Sequence, residues 1–261
     1  MSTPIQHLLG APESRYLSAG WRRYARAVRP VSVSSVHVSG FATVSAGAGE
    51  GRTVDHLSSI DVLALMEPVL RLLRPAGGWA VTELDVRTPA EPTPLGDQIP
   101  VRLELVDAAG TTSTYTGRIG GFPVTVTGMN VDGSDIVLVD SRLQTPETSV
   151  SSWSASDSQI AAVHTPTTAL PLCNVVAIVG ELIEAALVQT TGTDREQLGD
   201  IWMRRIRVRR KPTAFQNMSR SVVTLERLQE LSVRGSRVFD VHAKAELSGS
   251  AVVHVMLGVI R

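Results

Sequence analysis

The sequence predicts an α+β protein built from two copies of one unit, in which a strand and a long helix precede several antiparallel strands. Two tryptophans align the copies, because Pro89 follows Trp79 and Pro212 follows Trp202 by the same ten residues. Turn glycines follow these tryptophans after thirty-one residues in the first copy and thirty-three in the second. A unit of this kind can bury its helix only against an antiparallel sheet that wraps around it.

In the first copy, alternating apolar residues predict a strand over residues 31–44. A helix is predicted near residues 60–74, with Ser58 or Ser59 as its N-cap. Pro68 lies inside this helical pattern, so it should kink the helix or separate its first turn. Antiparallel strands with turn glycines complete the unit.

The second copy repeats this order. Its first strand is predicted over residues 136–143 and is followed by a Ser-rich link over residues 145–159. A helix is predicted near residues 174–189 with Asn174 as its N-cap, and antiparallel strands follow it. The boundary between the units is expected at the Ser-rich stretch. The two predicted units are residues 1–145 and 146–261.

The charge balance excludes bulk electrostatic attraction to polyanions. The 261 residues carry 25 Lys+Arg and 25 Asp+Glu, which gives zero net charge and a pI near 7.0. Nucleic acids and anionic membranes are therefore not expected as partners. The single cysteine, Cys173, can form neither an intrachain disulfide nor a Cys-rich zinc site.

Several familiar motifs are absent from the sequence. It holds no P-loop, no GxGxxG sequence that opens a helix after a strand, no GxSxG elbow and no HExxH motif. We therefore expect no metal and no cofactor. The first twenty residues lack the basic and apolar regions of a signal peptide, and no apolar run approaches the roughly 20 residues of a membrane span. A cytoplasmic protein is expected.

A histidine and an aspartate flank the start of the first helix. His56 precedes the helix and Asp61 lies in its first turn. An imidazole can move protons near neutral pH, and a neighbouring carboxylate would orient the ring and stabilise its protonated form. The structural alternative is that Asp61 only interacts with the helix dipole and His56 is a solvated turn residue. His164, ten residues before Asn174, is the corresponding candidate in the second copy.

The segment Trp202–Lys211 has the strongest bias, with six cations in ten residues. As a strand it places Trp202 and Arg204 on the same face as apolar Ile206 and Val208, where a guanidinium needs a carboxylate or phosphate partner. The opposite face carries a basic stripe, which is either the charged edge of a sheet or a docking surface for an acidic partner. The basic stripe consists of Arg205, Arg207, Arg209 and Lys211.

The order of elements resembles the hotdog fold, and two copies in one chain resemble the double hotdog of dehydratases, thioesterases and related acyl-handling enzymes. Three segments, LLGAPESRYLSAGWRR, HLSSIDVLAL and WMRR, are together similar to the avirulence protein D family. Members of that family are bacterial enzymes of syringolide-type lipid synthesis. Their architecture is similar to that of the A-factor biosynthesis enzymes, which make butyrolactone signals.

This resemblance implies a condensing enzyme that transfers a β-ketoacyl group from a thioester to a hydroxyl of a small sugar or triose. The thioester would be carried by an acyl carrier protein, docked at the basic stripe, or by CoA. His56 would be the base and Asp61 would orient it, with Trp202 and Arg204 holding the polar acceptor. The first turn of the Asn174 helix would supply an oxyanion site.

Two other classes of protein remain open on the same fold. A thioesterase would pass the acyl group to water, and a dehydratase would eliminate water from it. A non-catalytic acyl-binding module would keep the cavity and lack the base. The sequence also leaves a homodimer open.

Overall fold

The computed structural model of the chain describes residues 2–11, 15, 17, 20–46, 56–74, 78–96, 98–131, 146–165, 170–198, 200–211, 218–233 and 236–260. These residues form a 13-stranded antiparallel sheet, two long α-helices, two short α-helices and one turn of 3-10 helix at Gly20–Arg23. The helices are α1 (Gln6–Leu9), α2 (Ser59–Leu73), α3 (Leu172–Thr191) and α4 (Arg195–Leu198). The strands are β1 (Thr3–Pro4), β2 (Tyr24–Ser34), β3 (His37–Ala46), β4 (Trp79–Arg87), β5 (Ile99–Ala109), β6 (Thr112–Ile119), β7 (Phe122–Asn130), β8 (Thr148–Ser154), β9 (Gln159–His164), β10 (Asp200–Arg210), β11 (Arg220–Val233), β12 (Ser236–Leu247) and β13 (Ala251–Ile260).

Each half of the sheet repeats the same strand order. From the centre outwards the first half runs β4, β7, β6, β5, β3, β2, and the second runs β10, β13, β12, β11, β9, β8. The halves join where β4 pairs with β10, with Val86 opposite Ile206. The helix α2 contacts β2 and β3, and α3 contacts β9 and β11, of which β3 and β9 occupy matching positions. This topology confirms the predicted α+β double hotdog, in which each long helix packs against its own antiparallel strands.

The first residues of the chain lie against the second half of the protein. The strand β1 pairs with β8, and α1 contacts α3. Residues 3–9 therefore pack outside the unit to which the predicted division at residue 145 assigns them.

The prediction of one strand over residues 31–44 is wrong, because the chain reverses inside that range. The strand β2 ends at Ser34, β3 begins at His37, and the two strands pair with Ser34 opposite His37. The alternation of apolar residues continues through the turn, so the pattern did not reveal the reversal.

The Ser-rich link is also a hairpin. The strands β8 and β9 pair with each other, and β9 pairs further with β11. Val150, Ile160 and Ala162 are buried, while serines occupy many of the positions between apolar residues. These buried residues supply the period-two pattern of a half-buried strand. The strand predicted over residues 136–143 lies outside the described residues.

The helix α2 begins with a capping box at Ser58, one of the two N-caps that the sequence predicts. Ser58 is the N-cap, and its hydroxyl accepts a hydrogen bond from the backbone N–H of Asp61 at 3.1 Å. The Asp61 carboxylate accepts the backbone N–H of Ser58 in return, at 3.0 Å. The helix continues through Pro68 to Leu73, so the proline does not split off a turn.

The helix α3 begins two residues earlier than predicted. Its N-cap is Pro171, which makes no side-chain capping hydrogen bond, and Asn174 lies in the first turn instead of at the N-cap. Its C-terminus is closed by Gly192 in the left-handed region. The helix is long and apolar enough to span a membrane by length and composition, with a mean hydropathy of 1.7, which corrects the expectation that no run approaches that size. Because 83% of that window is buried inside the protein, its apolar character is that of a core helix.

One glycine allows the close approach of β5 and β6. A Cβ atom at Gly117 would lie 1.9 Å from the carbonyl oxygen of Arg102. We expect Gly117→Ala to lower the free energy of unfolding by about 1–3 kcal/mol, because the strands must move apart. Gly258→Ala in β13 is the control, since no described heavy atom lies within 4 Å of a Cβ there. Urea unfolding of both variants checks this, and equal losses would contradict it.

Candidate functional site

A β-bulge in β10 determines which side chains reach the site. The register between β10 and β13 shifts between Met203 and Arg205, which leaves Arg204 as the extra residue. Met203 and Ile206 are therefore both buried, whereas Trp202 is 37% exposed. The expectation that Trp202 and Arg204 share a face with Ile206 is wrong, because simple alternation does not include the bulge.

The bulge is fixed by two hydroxyl groups from the first half of the chain. The Ser59 hydroxyl donates to the carbonyl oxygen of Met203 at 3.1 Å, and the Thr88 hydroxyl donates to the same oxygen. Ser59 and Thr88 also lie 3.2 Å apart, oxygen to oxygen. The N-terminus of α2 is thereby tied to the bulge and to the end of β4.

His56 lies against Trp202 at this junction. The two rings are stacked, with centroids 5.1 Å apart and an angle of 25° between their planes. His56 also forms an isolated β-bridge with Pro94. The backbone N–H of Leu57 donates to the carbonyl oxygen of Thr93 at 2.8 Å. The structure thus brings together two of the candidate residues that the sequence indicated, and both rings are partly open to solvent.

Asp61 is paired with an arginine instead of with His56. Its Oδ1 accepts two hydrogen bonds from the Arg26 guanidinium, at 2.7 and 3.1 Å, and its Oδ2 accepts from Ser58. The carboxylate is fully buried, and Arg26 also donates to the carbonyl oxygen of Trp21 at 2.6 Å. These contacts give Asp61 a positioning role at the helix N-terminus, and the predicted His56–Asp61 pair is replaced by Asp61–Arg26.

The glutamates on α3 have arginine partners of their own. Glu181 accepts from Arg15 at 2.5 Å, and Glu184 accepts from Arg195 at 2.9 Å. Burial raises the pKa of Glu184, and the charge of Arg195 opposes that rise. Both carboxylates are buried, so these ion pairs explain how an apolar core helix carries acidic residues.

His164 is buried in the second half, away from any charged partner that the structure shows. Its Nδ1 lies 3.0 Å from the Thr148 hydroxyl and its Nε2 lies 2.8 Å from the Ser221 hydroxyl. Burial lowers the pKa of His164 to about 4, so the ring is neutral at physiological pH. These contacts favour a structural role that joins β8, β9 and β11.

The first turn of α3 is closed off from solvent. Asn174 is fully buried, and the thiol of Cys173 lies 3.5 Å from its side-chain oxygen. Burial raises the pKa of Cys173 to about 12, and the charge of Glu67 raises it further. The thiol is therefore protonated at physiological pH, and the role of this turn as an oxyanion site stays a prediction.

Arg204 lies on the outer face of the sheet. Its guanidinium forms an ion pair with Asp240, and the Arg204 side chain is 50% exposed. Strand alternation predicted apolar neighbours for Arg204. The bulge turns its side chain to the outer face instead. Arg204 does have the carboxylate partner that the sequence predicted for it.

The basic stripe lies in the centre of the sheet, because β10 pairs with β4 on one side and β13 on the other. The interpretation of the stripe as a protected edge strand is therefore wrong. Asp85 of β4 pairs with Arg205, and also with Arg207 at 3.4 Å, while Glu83 lies 3.6 Å from Arg209. Partial burial would raise the pKa of Asp85, but the hydrogen bond and charge of Arg205 outweigh burial and lower that pKa.

The sequence did not predict the long-range contacts of four polar residues, Ser59, Thr88, Arg26 and Arg15. The hydroxyls carry no motif, and the two arginines lie in a segment that reads only as polar and Arg-rich. The signal for Arg26 was its alternation with small residues in β2, which places it on one face of a strand.

The overall arrangement of the chain is similar to those of several solved acyl-handling proteins. An acyl-CoA thioesterase II, TesB2, from Mycobacterium marinum is 12% identical over 90% of this chain and 94% of its own, with a TM-score of 0.47. A tesB protein of Mycobacterium avium subs paratuberculosis is 13% identical over 89% and 96%, with a TM-score of 0.46. The dehydratase domain of a mycocerosic acid synthase-like PKS is 14% identical over 91% and 95%, with a TM-score of 0.44. At these scores the likeness carries no conclusion about the reaction.

No protein-family model matches the chain, and no curated protein matches it.

Breaking the Arg26–Asp61 pair should strongly lower the stability of the protein. Arg26→Ala removes the cation that faces a buried carboxylate, so we expect the free energy of unfolding to fall by about 3–5 kcal/mol. Arg71→Ala is the control, because Arg71 is half exposed and 3.6 Å from Glu67, where such a pair contributes at most about 0.5 kcal/mol. Chemical denaturation measures both losses, and similar losses would contradict the buried pairing.

Protonation of the buried His164 ring should destabilise the folded protein in acid. The unfolded chain binds a proton at His164 below pH 6.5, whereas the folded protein does so only near pH 4. The unfolded state therefore binds more protons between these values, and roughly 3 kcal/mol of stability present above pH 6.5 is lost as the pH falls to 4. His164→Gln should remove this part of the pH dependence of the melting temperature. Parallel profiles for the two proteins would show that His164 does not titrate as described.

Proposed function

We propose that the chain is an acyl-thioester enzyme that condenses a β-ketoacyl group with a hydroxyl of a small sugar or triose. The observation that carries the site is the stack of His56 on Trp202 at the N-terminus of α2. In this proposal the acyl chain lies in the apolar region between helix and sheet, and the resemblance to syringolide and butyrolactone enzymes supports the acyl donor and the acceptor. No metal or redox cofactor takes part in the proposed reaction.

His56 is the general base in this proposal. It takes the proton from the acceptor hydroxyl, whose oxygen attacks the thioester carbonyl carbon. As the tetrahedral intermediate collapses, the carbon–sulfur bond breaks, and His56 returns the proton to the thiolate. The products are an oxygen ester and a free thiol.

Trp202 positions both the base and the substrate. Its ring holds one face of His56 and leaves about a third of its own surface open, which offers an apolar wall for the acceptor or the acyl thioester. Ser59 and Thr88 hold the backbone beside it, so they are positioning residues. We place the developing oxyanion at the N-terminus of α2, because His56 lies two residues before its N-cap, Ser58.

Product analysis tests the function directly. A β-ketoacyl thioester is incubated with the protein, with and without a triose such as dihydroxyacetone, and the products are identified by mass spectrometry. The proposal predicts the oxygen ester or its cyclised product only when the triose is present. Free β-keto acid in both samples indicates a thioesterase, loss of water indicates a dehydratase, and an intact thioester indicates a binding module. Each of those three results overturns the condensing function.

The role of His56 predicts a selective kinetic loss. We expect His56→Gln to lower kcat/KM by about 10²-fold or more, which is the scale for removing a general base, with the melting temperature nearly unchanged. His7→Gln is the matched control, since His7 is exposed on α1. Full activity in His56→Gln would assign the ring to packing against Trp202 alone.

A further inference from the structure

A row of basic side chains crosses the outer face of the sheet next to the His56–Trp202 site. Strand register aligns Arg87 of β4 with Arg205 of β10, then Met256 of β13, His242 of β12 and Arg227 of β11. We call these five residues the near row. Neighbouring strands lie about 4.8 Å apart, so the near row is about 19 Å long.

The arginines at the two ends of the near row reach solvent. The side chains of Arg87 and Arg227 are 58% and 49% exposed. The bulge turns Arg204 to the same face, where Asp240 binds it and lies 3.4 Å from Arg227. The Asp240 side chain is only 12% exposed, so the carboxylate lies beneath the guanidinium groups and the positive groups form the surface.

The near row and Arg204 carry the excess of positive charge. They hold four arginines and one carboxylate, Asp240, which leaves an excess of three. The next row is balanced, because Arg207 and Lys244 face the carboxylates of Asp85 and Glu226. Glu246, 2.6 Å from Lys244, belongs by strand register to the third row.

The third row, farthest from Trp202, has a small excess of positive charge. Arg209, Arg210 and Lys211 line a shallow groove together with Glu83 and Glu246. Three cations and two carboxylates leave an excess of one there. The positive charge of the basic stripe is therefore concentrated at the end near the site, and Arg209 and Lys211 contribute little net field.

The near row is continuous with the candidate site. The backbone N–H of Thr88 donates to the carbonyl oxygen of Arg204 at 2.9 Å, and Arg87 directly precedes Thr88 in the chain. Arg204 is two residues from Trp202. A partner bound along the near row would therefore lie at the edge of the His56–Trp202 pair.

We propose that the near row docks an acidic acyl carrier protein and so presents its thioester to His56. This inference rests on the proposed function. The charge excess is local in a chain of zero net charge, so it selects an acidic surface without attracting polyanions in general. A row about 19 Å long also matches part of a protein interface, whose usual footprint is about 800 Å² on each partner.

Two charge-reversal variants separate the near row from the third row. Arg87→Glu with Arg227→Glu reverses the ends of the near row, and Arg209→Glu with Lys211→Glu is the matched control. For a β-ketoacyl group on an acidic acyl carrier protein, we expect the near-row variant to raise KM about 10-fold with kcat unchanged, and the control to raise it less than about 2-fold. The effect should shrink as the ionic strength passes about 0.15 M, where the Debye length is about 8 Å.

Two further substrates define what would overturn the docking site. A small N-acetylcysteamine thioester has no acidic surface, so both variants should turn it over as the unmodified protein does. Equal KM changes in the two variants, or an equal rise for the small thioester, would overturn the docking site. If the near-row variant raises KM similarly for the same acyl group carried by CoA, the near row binds CoA phosphates. That result would also overturn the carrier docking site.

Carrier binding is measured separately from turnover. Fluorescence anisotropy of a labelled carrier without its acyl group should show binding to the unmodified protein and to the control variant, and much weaker binding to the near-row variant. This result is independent of the reaction. Absence of turnover with intact carrier binding would overturn only the proposed function, and turnover of the small thioester without carrier binding would overturn only the docking site.

Discussion

The β-bulge at Arg204 is the constraint on which the candidate site depends. It lets Met203 face the core while Trp202, one residue away, lies against His56. The Met203 carbonyl then binds two hydroxyl groups from the first half of the protein, so a single irregularity joins both halves at the place where the candidate base lies. The same bulge sends Arg204 to the outer face, where it extends the near row. The candidate site and the basic surface beside it thus both depend on one extra residue.

Buried ion pairs hold the N-terminal segment against the two long helices. Arg26 binds Asp61 on α2, and Arg15 binds Glu181 on α3. Pairs of this kind add little net stability, because the cost of desolvating both charges offsets their attraction. Their effect is on geometry, since a misplaced segment would leave a carboxylate buried without its arginine. Trp21, which lies between these arginines in the chain, is buried as well, so the segment is part of the core.

The sequence predicted the features that have a period and missed those that depend on long-range contacts. Both long helices and the repeated strand order follow from regular apolar patterns, and Ser58 is one of the two N-caps predicted for α2. The bulge broke the alternation used to assign faces in β10, so Trp202 and Arg204 were placed on the wrong side. The ion pairs of Arg26 and Arg15 join residues 35 and 166 positions apart, and no local pattern contains that information. The stack of His56 on Trp202 is such a contact too, although each residue was singled out by itself.

Trp202 fluorescence provides the most direct test of whether acyl thioesters bind at this site. An unreactive thioether analogue of the β-ketoacyl substrate is titrated into the unmodified protein and into Trp202→Phe, with calorimetry to establish that the analogue binds both proteins. Trp202 is the exposed tryptophan beside His56, whereas Trp21 and Trp79 are buried. The account predicts a saturable fluorescence change in the unmodified protein that disappears in Trp202→Phe. Binding with the same fluorescence change in both proteins would place the acyl thioester elsewhere and contradict the account.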